Sequence, residues 1–320
     1  MLKKITIRKI TVSTLALIVL LLIYMMPDST NNNEYSLSTN NIEYVYTNTK
    51  EVIYTLDGNN YIARILINSN KEKIEDKVKY IIETLVIDGK NSNNIPNGFR
   101  GILPAGTEVL GLDLKDKILT INFSKEILDI KDEYEEKMIE SIVYSLTSIE
   151  GIDKIIIKVE GKILEKLPKS GKIINNILDK HYGINKKYNI VTPKDIDSYT
   201  VYYVSKYNNQ EYYVPITKYI NKDDNDKIKV IINELKTSPI YEENLMSYLS
   251  TEVNLINYEY KDSTMILNFD NALYNNRGNN ILEEVIYTIS LSLENNYNIK
   301  EVVFEVEGKE IYKKDIKTIE

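Results

Sequence analysis

The feature that most constrains how this 320-residue chain can fold is an internal duplication. Three short identities recur in the same order and at nearly the same spacing: Lys–Asp, Asn–Phe and Val–Glu–Gly–Lys. They lie at Lys115–Asp116, Asn122–Phe123 and Val159–Lys162 in the first copy and at Lys261–Asp262, Asn268–Phe269 and Val306–Lys309 in the second. Self-similarity of this kind is the signature of a repeated structural unit. We therefore expect two copies of one domain.

Each copy follows the order strand, strand, helix, strand, strand, helix, strand. The predicted elements of the first copy are 42–47, a hairpin at 51–67, 71–87, 108–114, 117–123, 133–149 and 153–160. Those of the second copy are 199–205, 211–217, 225–237, 253–260, 263–269, 279–294 and 299–306. Within the fifth element of the first copy, Leu119, Ile121 and Phe123 alternate with polar residues, which predicts a strand with one solvated face.

These patterns indicate an α+β class fold with two tandem α/β-sandwich domains. In each, a mixed and mostly antiparallel sheet is expected to carry its helices on one face. The domains are predicted at 42–165 and 199–320, and a linker at 166–198 joins them. Within that linker a short helical stretch is expected around Ile173–Leu178.

The N-terminus reads as a membrane signal. Residues Ile10–Met26 contain no charge and no proline, and four basic residues precede them: Lys3, Lys4, Arg8 and Lys9. The length of the apolar run is near the lower limit for crossing a bilayer. A cleaved signal peptide is the alternative, but no small-x-small cleavage pattern follows, which favours an uncleaved anchor. We expect a cytoplasmic basic tip at 1–9, a single transmembrane helix at 10–26, a flexible tether at 27–41 and an extracytoplasmic body.

Composition excludes several classes of function. The net charge is −7 from 40 basic and 47 acidic residues, and the four N-terminal basic residues leave the body more acidic still. An acidic body is unsuited to nucleic acid, whose phosphates need a basic face. The chain has no cysteine, which excludes disulfides, thiolate metal sites and a thiol nucleophile. Any histidine chemistry must use the single His181.

Candidate catalytic or binding residues all have simpler interpretations. His181 lies in the linker outside both copies, as a solvated or capping residue would. Asp223–Asp226 lacks the glycine of a calcium loop and precedes a helical pattern, which favours helix capping. Asn97–Gly101 is a loop without the Gly–Lys–Ser/Thr of a phosphate site. The recurrent Glu160 and Glu307 precede glycine at a strand end, as turn residues do. No catalytic, cofactor-binding or metal residue is therefore predicted, and no cofactor.

Tyrosine is unusually abundant, with 26 Tyr against four Phe. The pairs Tyr202–Tyr203 and Tyr212–Tyr213 place one ring on each face of a strand, so an outward glycan-stacking or interface surface is one interpretation. The alternative, which we favour, is that tyrosine serves in the core in place of phenylalanine.

The motifs of the first copy resemble the GerMN domain family. They comprise Ile102–Leu110 with its Leu–Pro–Ala–Gly–Thr turn, Ile121–Ser124 at a strand end, Tyr144–Leu146 at a helix end and Val159–Lys162 at the close. The second copy lacks the Leu–Pro–x–Gly turn and is less similar to the family. Members are often lipoproteins, and a transmembrane anchor would replace the missing lipid-bearing cysteine.

The resemblance implies a non-enzymatic sporulation and germination protein, held at the cell membrane, whose tandem domains assemble with other sporulation-complex proteins between mother cell and forespore or in a ring. The alternative function is an extracytoplasmic module that binds or remodels cell-wall peptidoglycan. No nucleic-acid partner is expected.

Overall fold

The structure, a computed structural model, describes residues 49–221, 226–237, 244–274 and 280–316. The predicted basic tip, transmembrane anchor, tether and first strand at 42–47 lie outside the described residues. All of the described residues belong to one compact unit, Thr47–Glu320.

Strands and helices follow one another in an order close to the predicted one. The strands of the first repeat and linker are β1 (Thr49–Asp57), β2 (Ile62–Ser69), β3 (Phe99–Arg100), β4 (Val109–Lys115), β5 (Ile118–Phe123), β6 (Lys154–Val159), β7 (Lys162–Ile163) and β8 (Lys187–Asn189). Those of the second repeat are β9 (Ile196–Tyr207), β10 (Gln210–Asn221), β11 (Leu255–Lys261), β12 (Thr264–Phe269), β13 (Glu301–Val306) and β14 (Lys309–Asp315). The α-helices are α1 (Ile74–Leu85), α2 (Glu135–Leu146), α3 (Lys227–Lys236) and α4 (Glu283–Asn296).

Each repeat contains a four-stranded sheet, ordered β4-β5-β6-β7 in the first and β11-β12-β13-β14 in the second. The central pair is parallel in both, and the helix between its strands, α2 or α4, makes the crossover. The registers also agree, because Ile118 lies opposite Lys154 in the first repeat and Thr264 opposite Glu301 in the second. One face of β5 is buried through Leu119, Ile121 and Phe123, as the alternation predicts.

The repeated short motifs form the hairpin turns of these sheets. Asp116–Lys117, with φ of 50° and 63°, joins β4 to β5, and Asp262–Ser263, with φ of 51° and 66°, joins β11 to β12. Two successive positive φ angles define the tight turn whose twist matches that of antiparallel strands. The duplicated Lys–Asp pair therefore specifies the same turn twice.

A third sheet contains strands from both repeats. Its order is β3-β1-β2-β10-β8, and β9 pairs along β10. The prediction of helices on one face is wrong for this sheet. Adjacent residues Tyr202 and Tyr203 point to opposite faces, yet each is only 1% exposed. Tyr203 donates to Glu234 on α3, while Tyr213, on the Tyr202 face, stacks on Tyr287 of α4.

The predicted helical stretch around Ile173–Leu178 is also wrong. These residues form no helix: Ile173 and Leu178 make isolated bridges to Lys166 and Ile155, and the chain bends at 176–177 between them. The apolar spacing of this segment comes from Ile174 and Leu178, which are buried against the first repeat without forming a helix. Tertiary contacts here override a weak local preference.

Candidate functional site

The recurrent glutamates are turn residues, as the sequence predicts. Glu160–Gly161 has φ of 47° and 80°, and Glu307–Gly308 has φ of 51° and 76°. Their repeated neighbours complete the turn. The N–H of Gly161 donates to Oδ1 of Asn122 at 2.8 Å, and the N–H of Gly308 donates to the equivalent oxygen of Asn268 at 2.9 Å. The Asn–Phe and Val–Glu–Gly–Lys identities are therefore two halves of one structural contact.

The other candidates have structural partners too. The side chain of His181 is 92% exposed, and its Nδ1 lies 3.0 Å from Oδ1 of Asp179. Asp226 caps α3 by accepting from the N–H of Ile228. Asp223, Asp224 and Asn225 lie outside the described residues. In the described part of the chain, no three histidine, aspartate or glutamate side chains come together as a metal site would need.

The Asn97–Gly101 loop lines a cavity of about 620 Å³ in the first repeat. Phe99, Arg100 and Ile130 are among the residues that line it. The Arg100 guanidinium donates to Oδ1 of Asn60 at 2.8 Å and to the Tyr134 hydroxyl at 3.0 Å. Phe99 and Arg100 within this stretch form the short strand β3, which pairs with β1, so the prediction of a loop is wrong at these two residues.

The most elaborate polar arrangement lies where the repeats meet. Strand β2 of the first repeat and β10 of the second pair antiparallel through Arg64 and Tyr213. The same register would place Ile62 opposite Pro215, but proline has no N–H to donate. The linker residue Asn185 fills this position. Its amide accepts from the N–H of Ile62 at 2.9 Å and donates to the carbonyls of Ile62 and Pro215 at 2.8 Å each.

Asn185 is itself held by α2. Its N–H donates to Oε2 of Glu140 at 2.9 Å, and Nζ of Lys186 lies 3.5 Å from the other carboxylate oxygen. The Glu140 and Lys186 side chains are only 3% and 6% exposed. Burial raises the pKa of Glu140 to about 7, a rise that Lys186 and the Asn185 N–H oppose. Burial also lowers the pKa of Lys186. A buried pair of this kind fixes geometry more than it adds stability.

Two further hydrogen bonds cross between the repeats. The hydroxyls of Tyr54 on β1 and Tyr202 on β9 are 2.8 Å apart in the buried interior. The Tyr212 hydroxyl donates to Oδ2 of Asp57 at 2.9 Å. Burial raises the pKa of Asp57, whereas the hydrogen bonds it accepts lower it. Seven of the described tyrosines, among them Tyr54, Tyr202 and Tyr212, are buried in the core or at the junction. Five others are exposed: Tyr188, Tyr207, Tyr258, Tyr260 and Tyr312. The interpretation favoured from the sequence therefore holds for part of the tyrosines.

The sequence prediction missed this junction. Asn185 stands in Gly183–Ile184–Asn185–Lys186 without a repeated counterpart, so nothing in the duplication marks it. Its φ of 47° is tolerated by asparagine, and the residue type is the one local signal that was available. The arrangement joins the two repeats within one compact unit, Thr47–Glu320.

No helix among the described residues has both the length and the apolar character needed to cross a bilayer. The anchor predicted at 10–26 lies outside the described residues and stays a prediction.

Comparison with known proteins gives a consistent result. The family model for Germane, described as "Sporulation and spore germination", matches residues 48–165 and 200–312. The "Spore germination protein GerM" of Bacillus subtilis is 33% identical over 263 residues, covering 80% of this chain and 71% of that protein. The solved tandem GerMN domains of the Bacillus subtilis sporulation protein GerM superpose with a TM-score of 0.74 at 32% identity, covering 82% of this chain and 92% of the other. The resemblance drawn from the sequence is confirmed.

Proposed function

Because this chain belongs to the Germane family of sporulation and spore germination domains, we propose that it is a non-enzymatic assembly protein of the sporulating cell. In this proposal residues 10–26 hold it in the membrane with the N-terminus in the cytoplasm. The tandem domains then project on the other side, where they contact other proteins of a complex between mother cell and forespore.

One observation carries the proposal: the two family domains are built into a single body through a shared sheet. Three contacts join the repeats to each other or to the linker. They are the hydrogen bonds of the Asn185 amide, the strand pairing of Arg64 with Tyr213, and the hydrogen bond between the hydroxyls of Tyr54 and Tyr202. A scaffold needs a set spacing between its contact surfaces, and a sheet shared by both repeats supports such spacing. Among the candidate chemical residues that the structure describes, His181, Asp226, Glu160 and Glu307 all have structural partners.

A deletion strain scored for sporulation and for germination tests the proposal. We expect spore yield to fall, and full-length chain restored from a second locus to recover it. A complemented strain carrying a tagged chain, crosslinked during sporulation, is expected to yield the tagged protein joined to other envelope proteins. Normal sporulation together with no crosslinked partner would contradict the assembly role.

The membrane anchor needs its own test. The full chain is expected to stay in the membrane fraction after alkaline carbonate washing, whereas a chain lacking residues 10–26 is expected to be released or to remain in the cytoplasm.

The alternative function, a cell-wall module, is tested by binding to purified peptidoglycan. Equal retention of the wild type and of a chain denatured by heat would indicate nonspecific adhesion. Retention by the folded chain alone would favour a cell-wall module instead.

A further inference from the structure

The two four-stranded sheets each present one face away from their helices. In the first repeat this outer face contains Ile118, Thr120 and Asn122 of β5, because the alternate residues of that strand are buried. In the second it contains the equivalent Thr264, Ile266 and Asn268 of β12. Strand neighbours in register share a face, so the pairings assign the remaining residues.

The outer face of the first repeat is basic. Lys154 lies opposite Ile118, Lys158 opposite Asn122, and Lys115 again opposite Ile118 from the other side. Lys115 and Lys154 are exposed, and Lys158 is half-buried. The acidic residue among them is Asp113. Ile156 lies between Lys154 and Lys158 on β6, and Ile163 lies opposite Lys158 on β7.

The outer face of the second repeat is acidic at the same positions. Glu301 takes the place of Lys154 and Glu305 that of Lys158, since each lies opposite the equivalent residue of β12. Glu259 and Glu310 add further carboxylates, against Lys261 and Lys313. Of these, Lys313 forms an ion pair with Glu301 at 2.9 Å. Ile266, which is half-buried, lies at the centre of this face, and Val303 opposite it is only 6% exposed.

From this opposition we propose that copies of the chain associate head to tail, the basic sheet face of one against the acidic sheet face of the next. The inference rests on the proposed assembly function and names a partner for it, a second copy of this chain. Two basic faces, or two acidic faces, repel each other, so a contact between like surfaces is disfavoured. A head-to-tail contact repeats from copy to copy and generates a ring or a filament.

The area of the sheet face indicates how strong the contact between copies can be. Strands of six residues at about 3.3 Å each, with about 4.8 Å between neighbours in a set of four, give a face of roughly 300 Å². Stable complexes bury about 800 Å² per partner. The contact is therefore weak in dilute solution and becomes populated where copies are concentrated, as on a membrane. Its charge complementarity sets the orientation more than the affinity.

The natural absence of cysteine makes the test clean, since any disulfide must join introduced residues. K158C and E305C versions of the full chain, carrying different tags, are mixed in detergent at high concentration and oxidised. We expect the mixed disulfide to exceed both self-disulfides by about fivefold and to fall about fivefold between 0.1 M and 1 M salt, because the screening length shortens from about 10 Å to about 3 Å. The matched control pair, K194C with E72C, uses exposed residues outside both faces and is expected to give background only.

Charge reversal separates docking from chance collision. K158E should abolish the mixed crosslink between the cysteine pair K154C and E301C, and E305K in the partner copy should restore it. Equal yields for the mixed pair, the self pairs and the control pair would overturn the proposal. If the mixed pair stays at background while sporulating cells still yield crosslinked envelope partners, self-association is wrong and the assembly role stands. If neither is found, both fail.

Discussion

Replacing Asn185 with alanine tests the junction most directly. The side chain makes three buried hydrogen bonds, two with Ile62 and one with the Pro215 carbonyl. At about 1 kcal/mol net for each, their loss costs about 3 kcal/mol. Alanine at a φ of 47° adds about 1 kcal/mol of backbone strain, because its Cβ crowds the carbonyl in the left-handed region. The free energy of unfolding is therefore expected to fall by about 4 kcal/mol.

A matched control isolates the strain. Asn208 has a φ of 46° in the exposed turn between β9 and β10, so Asn208→Ala carries the backbone cost without the buried hydrogen bonds. We expect that variant to lose about 1 kcal/mol. The difference of about 3 kcal/mol between the two variants then reports the contacts that join β2, β10 and the linker.

Thermal unfolding of residues 47–320, followed by circular dichroism, measures both variants. At about 2–3 °C per kcal/mol for a unit of this size, the midpoint should fall by about 8–12 °C for Asn185→Ala and by about 2–3 °C for Asn208→Ala. Equal shifts for the two variants would refute the reasoning, because they would show that the buried amide adds nothing beyond its backbone conformation.

Three other perturbations follow from contacts already described. Glu140→Gln should flatten the pH dependence of stability. The folded pKa of Glu140, about 7, lies above the ordinary value of 4.5, so the wild type loses stability relative to this variant as pH rises from 5 to 8. A difference in stability between the wild type and this variant that stays constant from pH 5 to pH 8 would contradict this prediction. Asn122→Ala should cost about 1 kcal/mol by leaving the Gly161 N–H unpaired, measured by urea unfolding; no change would exclude the turn contact. Gly98→Ala should cost more than about 2 kcal/mol, since its φ is +94° and a Cβ would lie 2.5 Å from the Tyr207 ring. Adding Tyr207→Ala should restore the part of the lost stability that comes from the steric clash. If no stability is restored, the loss comes from the backbone conformation at residue 98.

Much of each repeat could be predicted because its determinants are local. The Lys–Asp and Glu–Gly pairs specify tight turns from their own residue types, and the alternation of Leu119, Ile121 and Phe123 specifies which face of β5 is buried. Duplication strengthened these inferences, since a pattern seen twice at one spacing is unlike a chance pattern. The hairpins, the crossover helices and the turn role of the glutamates were all accessible in this way.

The shared sheet was inaccessible for the opposite reason. Strands β2 and β10 meet through the single pair Arg64 and Tyr213, far apart in sequence, and no periodicity records such a contact. The bridging Asn185 occurs once, in a segment without a duplicate. The linker also has a helical spacing of apolar residues, but the structure buries Leu178 in a segment that is not helical. Sequence patterns report local properties of a segment, such as its secondary structure and its buried face. The junction instead depends on contacts between segments that are far apart in the sequence.

The position of Asn185 has a consequence for the order in which the chain folds. The first repeat is synthesised before β10 exists, so the outer edge of β2 begins as an open strand edge, which invites pairing with other chains. Asn185 leaves the ribosome before Gln210, the first residue of β10, and its amide occupies both the N–H and the carbonyl of Ile62. The linker can therefore cover part of that edge while the second repeat is still incomplete. The residue that joins the two domains is thus available to this strand edge before β10 is.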